Sequence, residues 1–258
     1  MTELTSETKK KEGIQKEDIT LQKNDFVVVE YTGKLPDGKI FDTTSEKIAK
    51  EAKIFSEKMK YEPAEICIGE QQVLPGLDTA LMGKEVGKKY TVNLSPEQAF
   101  GKRDIKKIKM VPSATFMEHK VQPFPGLQID VDGEIGTVLR VAGGRILVNF
   151  NHPLAGKEVI YEVEVKRKIT EPKEQVTAFV HRVFGIPEEQ IGVEIKPIEV
   201  EIAAEGEKVA EREKSAESEK EKKVVLTLPF DFPAQLSDAF AQKLAELVKV
   251  KTVEFKKK

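Results

Sequence analysis

The segment spanning residues 26–42 constrains the fold most, because a strand pattern in it runs directly into a tight turn. Its first six residues alternate with a period of two, as in an extended β-strand. The Asp-Gly pair at residues 37–38 then supplies the positive φ angles that a hairpin turn needs. A returning strand would bring Phe41 and Asp42 back near Tyr31. The pattern predicts two aromatic rings and one carboxylate together at the end of a hairpin.

Length, charge and cysteine content limit the class of protein. A chain of 258 residues is longer than a typical single domain, so we expect two or three units, each with its own core. A formal net charge of −2 argues against a nucleic-acid surface or a polybasic membrane patch. Cys67 is the only cysteine, and no apolar run is long enough to span a bilayer. We expect a cytoplasmic protein without nucleic-acid or membrane partners.

The rest of the first hundred residues alternates between strand and helix patterns. Residues 1–23 are polar and aperiodic, and we interpret them as a mobile leader or a loosely attached edge. Residues 43–59 place apolar side chains three and four positions apart, which predicts an amphipathic helix. Residues 64–68 and 89–94 alternate as strands, and residues 69–83 predict a loop into a short helix. Such a short helix is not stable alone, so it must pack against the sheet.

Residues 102–149 predict a small β-rich unit. A short helix at 113–117 precedes three alternating segments, 126–131, 134–141 and 145–150, which predict a meander. So small a sheet cannot bury both faces, and its apolar residues either form a minimal core or remain partly exposed. These residues are Met110, Val111, Phe116, Met117, Phe124, Leu127 and Ile129. We expect most of them in the core.

The C-terminal third predicts a further α+β unit whose function the sequence does not reveal. A helix with an apolar stripe begins at Pro172 and is stopped by Gly185, and residues 193–202 alternate weakly. Residues 203–223 are almost wholly Glu, Lys, Ala and Ser, typical of a solvated helix or a linker, with partner binding as the alternative. The remaining predicted elements are a strand at 224–228, a helix at 233–247 and a strand at 248–255. Dimerisation and extra peptide binding are both open for this unit.

Several segments in this order resemble one protein family. They are VEYTG (29–33), DGKIFDTT (37–44), VLPGLDTALMGKEVGKK (73–89) and LSPEQAFG (94–101), and they resemble the FKBP-type peptidyl-prolyl cis-trans isomerases. NHPLAGKEVIYEVEV (151–165) resembles the closing strand of the SlyD-like branch, which also carries an insertion in its flap. The resemblance covers about residues 26–169.

The resemblance implies an α+β fold with an FKBP-like antiparallel half-barrel sheet wrapped on a short helix. It implies the archaeal long type of the SlyD-like branch, with three domains. These are a discontinuous isomerase domain (1–101 and 150–170), an insert-in-flap chaperone domain (102–149) and a C-terminal α+β domain (171–258). For the insert, it implies a sticky substrate-binding surface for unfolded chains, formed by the exposed members of the set Met110, Val111, Phe116, Met117, Phe124, Leu127 and Ile129.

The resemblance also implies a set of site residues. The pocket maps onto Tyr31, Phe41, Asp42, Val73, Leu74, Leu77, Phe100, Leu154 and Tyr161. Leu77 would floor the pocket under the proline ring, with Phe41 and Tyr161 as walls, while Asp42 orients Tyr31. The backbone N–H of Leu74 and the region of Phe100 would contact the substrate chain. From the residues alone, the apolar members could equally be core, and Asp42 could cap a turn.

Three positions depart from the pattern of the family. Leu77 stands where many relatives have a tryptophan, Phe100 where a tyrosine is common, and Ala64 where a wall aromatic is frequent. Two functions therefore compete: an isomerase acting on proline-containing unfolded chains, and a non-catalytic holding chaperone.

No cofactor is implied, and the three scattered histidines lack a cysteine partner at metal-ligand spacing. The expected partners are unfolded or proline-containing polypeptides. Macrolide inhibitors of the family, and a second copy of the chain bound through the C-terminal domain, are further partners left open by the sequence.

Overall fold

A computed structural model of the chain describes residues 20–131, 133–197 and 222–257, which contain three β-sheets and five α-helices. The first sheet contains β1 (Phe26–Lys34), β2 (Ile40–Thr43), β3 (Ala64–Cys67), β4 (Lys89–Leu94) and β9 (Val159–Ile169). The second contains β5 (Ile108–Pro112), β6 (Gln128–Val131), β7 (Glu134–Ala142) and β8 (Arg145–Asn149), and the third contains β10 (Gly192–Pro197), β11 (Lys222–Leu228) and β12 (Thr252–Lys257). The helices are α1 (Glu46–Glu51), α2 (Pro75–Leu81), α3 (Ser113–Glu118), α4 (Pro172–Phe184) and α5 (Ala234–Val248). The fold is α+β, as predicted.

Strand β1 lies at the centre of the first sheet. It pairs antiparallel with β2, β3 and β9, and β9 pairs in turn with β4. The predicted hairpin is confirmed, with Gly33 opposite Asp42 on β2 and opposite Tyr161 on β9. This register brings the end of the hairpin next to the start of β9.

The two faces of β1 enter two different cores. Val27 and Val29 pack with Leu77 and Leu81 of α2, so the short helix does pack against the sheet. Leu21 is 2% exposed and belongs to the same core, so the prediction of a loose leader is wrong for this residue. The first nineteen residues of that predicted leader lie outside the described residues.

The opposite face of β1 packs against the C-terminal unit, residues 172–257. Phe26 and Val28 share one core with Val176 and Phe179 of α4, and the rings of Phe26 and Phe179 lie 6.3 Å apart edge to face. Cys67 is buried in this core, and burial raises the pKa of its thiol to about 12. The first sheet is therefore covered on both sides.

The predicted helix at 43–59 is largely wrong, because α1 covers only Glu46–Glu51. Lys53 has φ +58, a left-handed conformation that cannot continue an α-helix. Phe55, expected on the apolar stripe, instead stacks on Tyr61 with ring centroids 5.3 Å apart. No glycine or proline marks this end, so the sequence carried no stop signal.

The second sheet has four strands in the order β5-β8-β7-β6, where the sequence predicted three. The missed strand, β5, contains Lys109 and ends at Pro112, and both residue types are disfavoured in strands. Helix α3 follows it directly, as predicted. The core of this unit is formed by Phe116, Val138, Ile146 and Val148.

The C-terminal unit contains α4, α5 and the third sheet, in which β11 pairs antiparallel with β10 and parallel with β12. Gly185 ends α4 in the left-handed conformation with φ +65, as predicted. The predicted strand at 193–202 is described only to Pro197, and most of the predicted linker at 203–223 lies outside the described residues. The last strand begins at Thr252 and not at residue 248, because α5 extends to Val248.

Two features are absent from the part of the chain that the structure describes. None of the helices there is long and apolar enough to cross a membrane. Among the same residues, no group of three or more His, Cys, Asp or Glu side chains could hold a metal ion.

The core shared by the first sheet and the C-terminal unit leads to a prediction about stability. Phe179→Ala should lower the free energy of unfolding by about 3–5 kcal/mol, because it removes a buried ring and leaves a cavity. The four tyrosines are residues 31, 61, 90 and 161, all outside residues 102–149 and the C-terminal unit, so tyrosine fluorescence during urea unfolding reports only the unit that contains the first sheet. We expect this signal to shift to lower urea in Phe179→Ala.

Phe124→Ala is the matched control, since Phe124 is exposed in the second unit, and it should change stability by less than about 0.5 kcal/mol. An unchanged tyrosine transition in Phe179→Ala would show that the C-terminal unit does not stabilise the first sheet.

Candidate active site

Four aromatic rings meet where β1, β2 and β9 come together. Phe41 lies in the middle, with its ring centroid 5.9 Å from that of Tyr161 and 5.8 Å from that of Phe100. Tyr31 approaches Tyr161 from the other side at 5.7 Å. Aromatic pairs at these distances and tilted geometries attract each other beyond their apolar burial. The structure thus brings together all four aromatic residues that the sequence nominated.

Gly33 makes this close approach possible, although the sequence analysis did not single it out as a site residue. A Cβ atom at this position would lie 2.8 Å from Cζ of Phe41 and 2.9 Å from Cζ of Tyr161. Both distances are shorter than real carbon–carbon contacts, so any side chain here would displace the rings. An isolated glycine inside a strand pattern is the sequence signal that could have revealed this contact.

The nominated residues differ in how much surface they offer. Leu77 and Tyr161 are only 1% and 3% exposed, whereas Tyr31, Phe41, Val73, Leu74 and Phe100 are half-buried. Leu77 therefore lies buried beneath the rings, and its place at the floor of the pocket stays a prediction. The accessible surface of the site is formed by the half-buried residues.

Asp42 is held beside the rings by Tyr161. The Tyr161 hydroxyl donates to Oδ2 of Asp42 at 3.4 Å. The sequence analysis expected Asp42 to orient Tyr31, but the tyrosine that bonds to its carboxylate is Tyr161. Burial raises the pKa of Asp42, and burial together with the Asp42 charge raises the pKa of Tyr161. The phenol therefore stays protonated and remains a donor at neutral pH.

Asp78 fixes the loop that carries Val73 and Leu74 into the site. It is buried in the first turn of α2, and its two carboxylate oxygens accept from the backbone N–H groups of Gly69 (2.8 Å) and Gln71 (2.9 Å). This residue was not predicted as functional. Its role follows from the fold, because the two amides come near it only when the loop closes over the helix start.

Phe100 and His152 form the side of the site that faces the insert, residues 102–149. Their rings stack at 4.5 Å with an interplanar angle of 4°. His152 Nδ1 accepts from the backbone N–H of Leu154 at 3.2 Å, and burial lowers the pKa of His152. Leu154 itself was predicted to line the pocket, but its side chain is not among the residues packed on the ring cluster.

A cleft opens from the ring cluster toward the C-terminal unit. It has a volume of about 480 Å³, and Tyr31 and Asp42 line one end of it. Ala64 lines its wall, while His181 and Arg182 reach into it from α4. The small side chain at position 64, which the sequence analysis noted as a departure, coincides with this open space.

The insert exposes part of its apolar set. Met110, Met117 and Phe124 are 59%, 68% and 56% exposed. Val111, Leu127 and Ile129 are half-buried against the core. Phe116 is 5% exposed, so its nomination as a substrate contact is wrong, since it belongs to the core of the insert.

Known proteins share these features in sequence. The family model described as FKBP-type peptidyl-prolyl cis-trans isomerase matches residues 17–122, and the model for the FKBP26 IF domain matches residues 109–154. The short-type peptidyl-prolyl cis-trans isomerase of Methanocaldococcus jannaschii is 34% identical over 146 residues, which cover 57% of this chain and 92% of that protein. The FKBP-type 16 kDa isomerase of Escherichia coli K12 is 32% identical over 150 residues (57% and 92%), and SlyD of Haemophilus influenzae is 30% identical over 152 residues (56% and 70%).

There is no space for a side chain at position 33, which leads to a prediction about stability. Gly33→Ala should lower stability by about 1–3 kcal/mol, because overpacking forces the rings of Phe41 and Tyr161 apart. Combined with Phe41→Leu, which removes one of the two rings, the loss should be smaller than the sum of the two single losses. The measurement is a double-mutant cycle by urea unfolding, and strict additivity would mean that Gly33 and Phe41 are not in contact.

The His152 stack leads to a prediction about pH. Because the folded pKa lies below the unfolded value of about 6.5, the folded state binds a proton less readily than the unfolded chain. The contribution of neutral His152 to the stability of the folded state is therefore complete above pH 6.5, and it is lost as the pH falls through the pKa that His152 has in the folded state. Protonation of Nδ1 would also remove the bond from Leu154.

We therefore expect the stability of the wild type to fall, relative to His152→Phe, between pH 7 and pH 5 in urea unfolding. The variant keeps a flat ring against Phe100 but cannot bind the proton. Parallel pH curves for the two proteins would show that His152 ionises as freely in the folded state as in the unfolded chain.

Proposed function

The chain belongs to the FKBP-type peptidyl-prolyl cis-trans isomerase family, and from that premise we propose that it turns X-Pro bonds in unfolded polypeptides while its insert captures the chain. The observation that carries the proposal is the cluster of Tyr31, Phe41, Phe100 and Tyr161 at the end of the hairpin. On this proposal residues 102–149 form a capture domain beside the catalytic one.

Prolyl cis-trans isomerisation requires an apolar enclosure and does not require a nucleophile. Rotation about a prolyl amide crosses a barrier of roughly 20 kcal/mol, because amide resonance is lost in the twisted state. The twisted amide is less polar at its carbonyl, so a site that excludes water binds it better than it binds either planar form. No bond is formed or broken, and a thiol such as Cys67, with its pKa raised to about 12, has no part in it.

The geometry of the ring cluster meets this demand. The half-buried faces of Tyr31, Phe41 and Phe100 offer apolar surface to a proline ring, and Tyr161 and Leu77 lie beneath them. The carboxylate of Asp42 lies beside the rings and accepts from the hydroxyl of Tyr161, whose buried phenol stays protonated. The ring contacts and this hydrogen bond hold the groups in place, so we expect little energy to be lost in ordering them when a substrate binds.

The insert supports capture through its exposed side chains and its attachment. Met110, Met117 and Phe124 offer flexible, polarisable apolar surface that can adapt to many sequences. Asn151 joins the two chain segments that connect the insert to the first sheet. Its Oδ1 accepts from Asp104 N (2.8 Å) and its Nδ2 donates to the Asp104 carbonyl (2.9 Å). This junction adjoins the Phe100–His152 stack, so the insert meets the first sheet at the edge of the site.

A non-catalytic holding chaperone is the second candidate. It is favoured by the near-complete burial of Leu77 and Tyr161 and by Phe100, which has no hydroxyl to offer a substrate. The two candidates differ in whether the ring cluster accelerates rotation or only binds chain.

The test compares two substrates with full-length variants. Tyr31→Ala should lower kcat/KM about tenfold on both a proline tetrapeptide and a refolding protein limited by prolyl isomerisation, because about 1–2 kcal/mol of ring packing is lost. The triple change of Met110, Met117 and Phe124 to Ser should leave the tetrapeptide rate unchanged and slow the refolding reaction at least tenfold.

Leu236→Ser is the control for loss of an exposed apolar side chain, since Leu236 lies on α5, away from the insert. No acceleration of either substrate by the wild type, with aggregation still suppressed, would favour the holding chaperone. Equal losses on both substrates in the triple variant would contradict a capture role for the insert.

A further inference from the structure

The C-terminal unit reaches the isomerase site through one end of α4. The helix is fixed against the back of the first sheet by the core that contains Phe26 and Phe179. Its last turn lines the cleft beside Tyr31 and Asp42, to which it contributes His181 and Arg182. The placement of Arg182 is therefore set by a buried core and not by surface contacts alone.

Arg182 is bonded to the loop that delivers Val73 and Leu74 to the site. Its Nη2 donates to the backbone carbonyl of Gln72 at 2.8 Å, although the two residues are 110 positions apart in the sequence. The Gln72 side chain is tied in turn to β3, since its Oε1 accepts from Cys67 N at 2.8 Å. Gln72 is thereby held on one side by the sheet and on the other by the C-terminal unit.

The guanidinium also acts on the polar groups of the site. The positive charge of Arg182 lowers the pKa of Tyr31 and of Asp42, against the stronger effect of burial, which raises both. The other charged or titratable groups lining the cleft are Lys60, Glu62, Glu65, His181 and Glu188. Arg182 is thus in electrostatic contact with Tyr31 and Asp42 and in hydrogen-bond contact with the neighbouring loop.

We propose that Arg182 is a positioning residue of the isomerase site, through which the C-terminal unit sets the geometry of Tyr31, Asp42 and the loop before Leu74. The proposal rests on the isomerase function proposed above. It also gives the C-terminal unit a part in the reaction, a role that its own sequence does not reveal.

Catalytic rate is sensitive to such support, since a displacement of about 1 Å in a binding group can lower it by up to about a hundredfold. Folding should be much less sensitive, because the Arg182 side chain is exposed and its bond to Gln72 lies at the surface. The two effects can therefore be separated by experiment.

The experiment uses the full chain with Arg182→Met, which keeps the apolar stem and removes the charge and the donors. We expect kcat/KM on a proline tetrapeptide to fall about tenfold while the thermal midpoint changes by less than about 2 °C. The pH at which Tyr31 ionises, followed by NMR of its labelled ring and assigned with Tyr31→Phe, should rise, because a neighbouring cation is lost. Arg182→Lys should restore the ionisation of Tyr31 and part of the rate.

Lys173→Met is the matched control, since it removes an exposed cation from the same helix outside the cleft. It should leave both the rate and the Tyr31 ionisation unchanged. Wild-type kcat/KM in Arg182→Met overturns the proposal, whether or not Tyr31 titrates differently. A wild-type protein without isomerase activity defeats the proposed function and this inference together, and that result is distinguishable because it appears before any substitution is made.

Discussion

The burial of both faces of β1 is the constraint on which the rest of the structure depends. Alternate side chains of one strand point to opposite sides, so Val27 and Val29 enter the core under α2 while Phe26 and Val28 enter the core shared with α4. A slip of one residue in its pairing would exchange these two sets. The same register places Gly33 opposite both Asp42 and Tyr161. The pairing that packs the two cores therefore also brings the aromatic rings of the site together.

The sequence predicted most of the fold, and the failures have physical causes. The hairpin, α2 and the end of α4 at Gly185 each carried a strong local signal of turn residues or period. The end of α1 carried none, since a lysine adopts the left-handed conformation there. Strand β5 was missed because its lysine and its terminal proline are unfavourable in strands, and pairing with β8 overrides that preference.

The ring residues of the site were predictable, but their burial and partners were not. Sequence similarity names Leu77 and Asp42, yet only the structure shows that Leu77 is covered and that Asp42 bonds Tyr161. Arg182 could not have been found from the sequence, because it is 110 positions from its partner Gln72 and no motif connects them. The four consecutive apolar residues that open β1 were a sign of burial on both faces, and they indicate that some other part of the chain covers the back of the sheet.

The junction at Asn151 determines what kind of arm the insert is. The buried side-chain amide of Asn151 makes three hydrogen bonds, two to the backbone of Asp104 and one to Asn149. These bonds join the two chain segments that connect the four-stranded unit to the first sheet, so the connection is stiff and not a flexible linker. On the proposed capture role, this junction sets the distance between a polypeptide bound at Met110 and Met117 and the ring cluster. If the insert has that role, prolines within this distance would meet the ring cluster at a high effective concentration, whereas prolines farther along the same polypeptide would not.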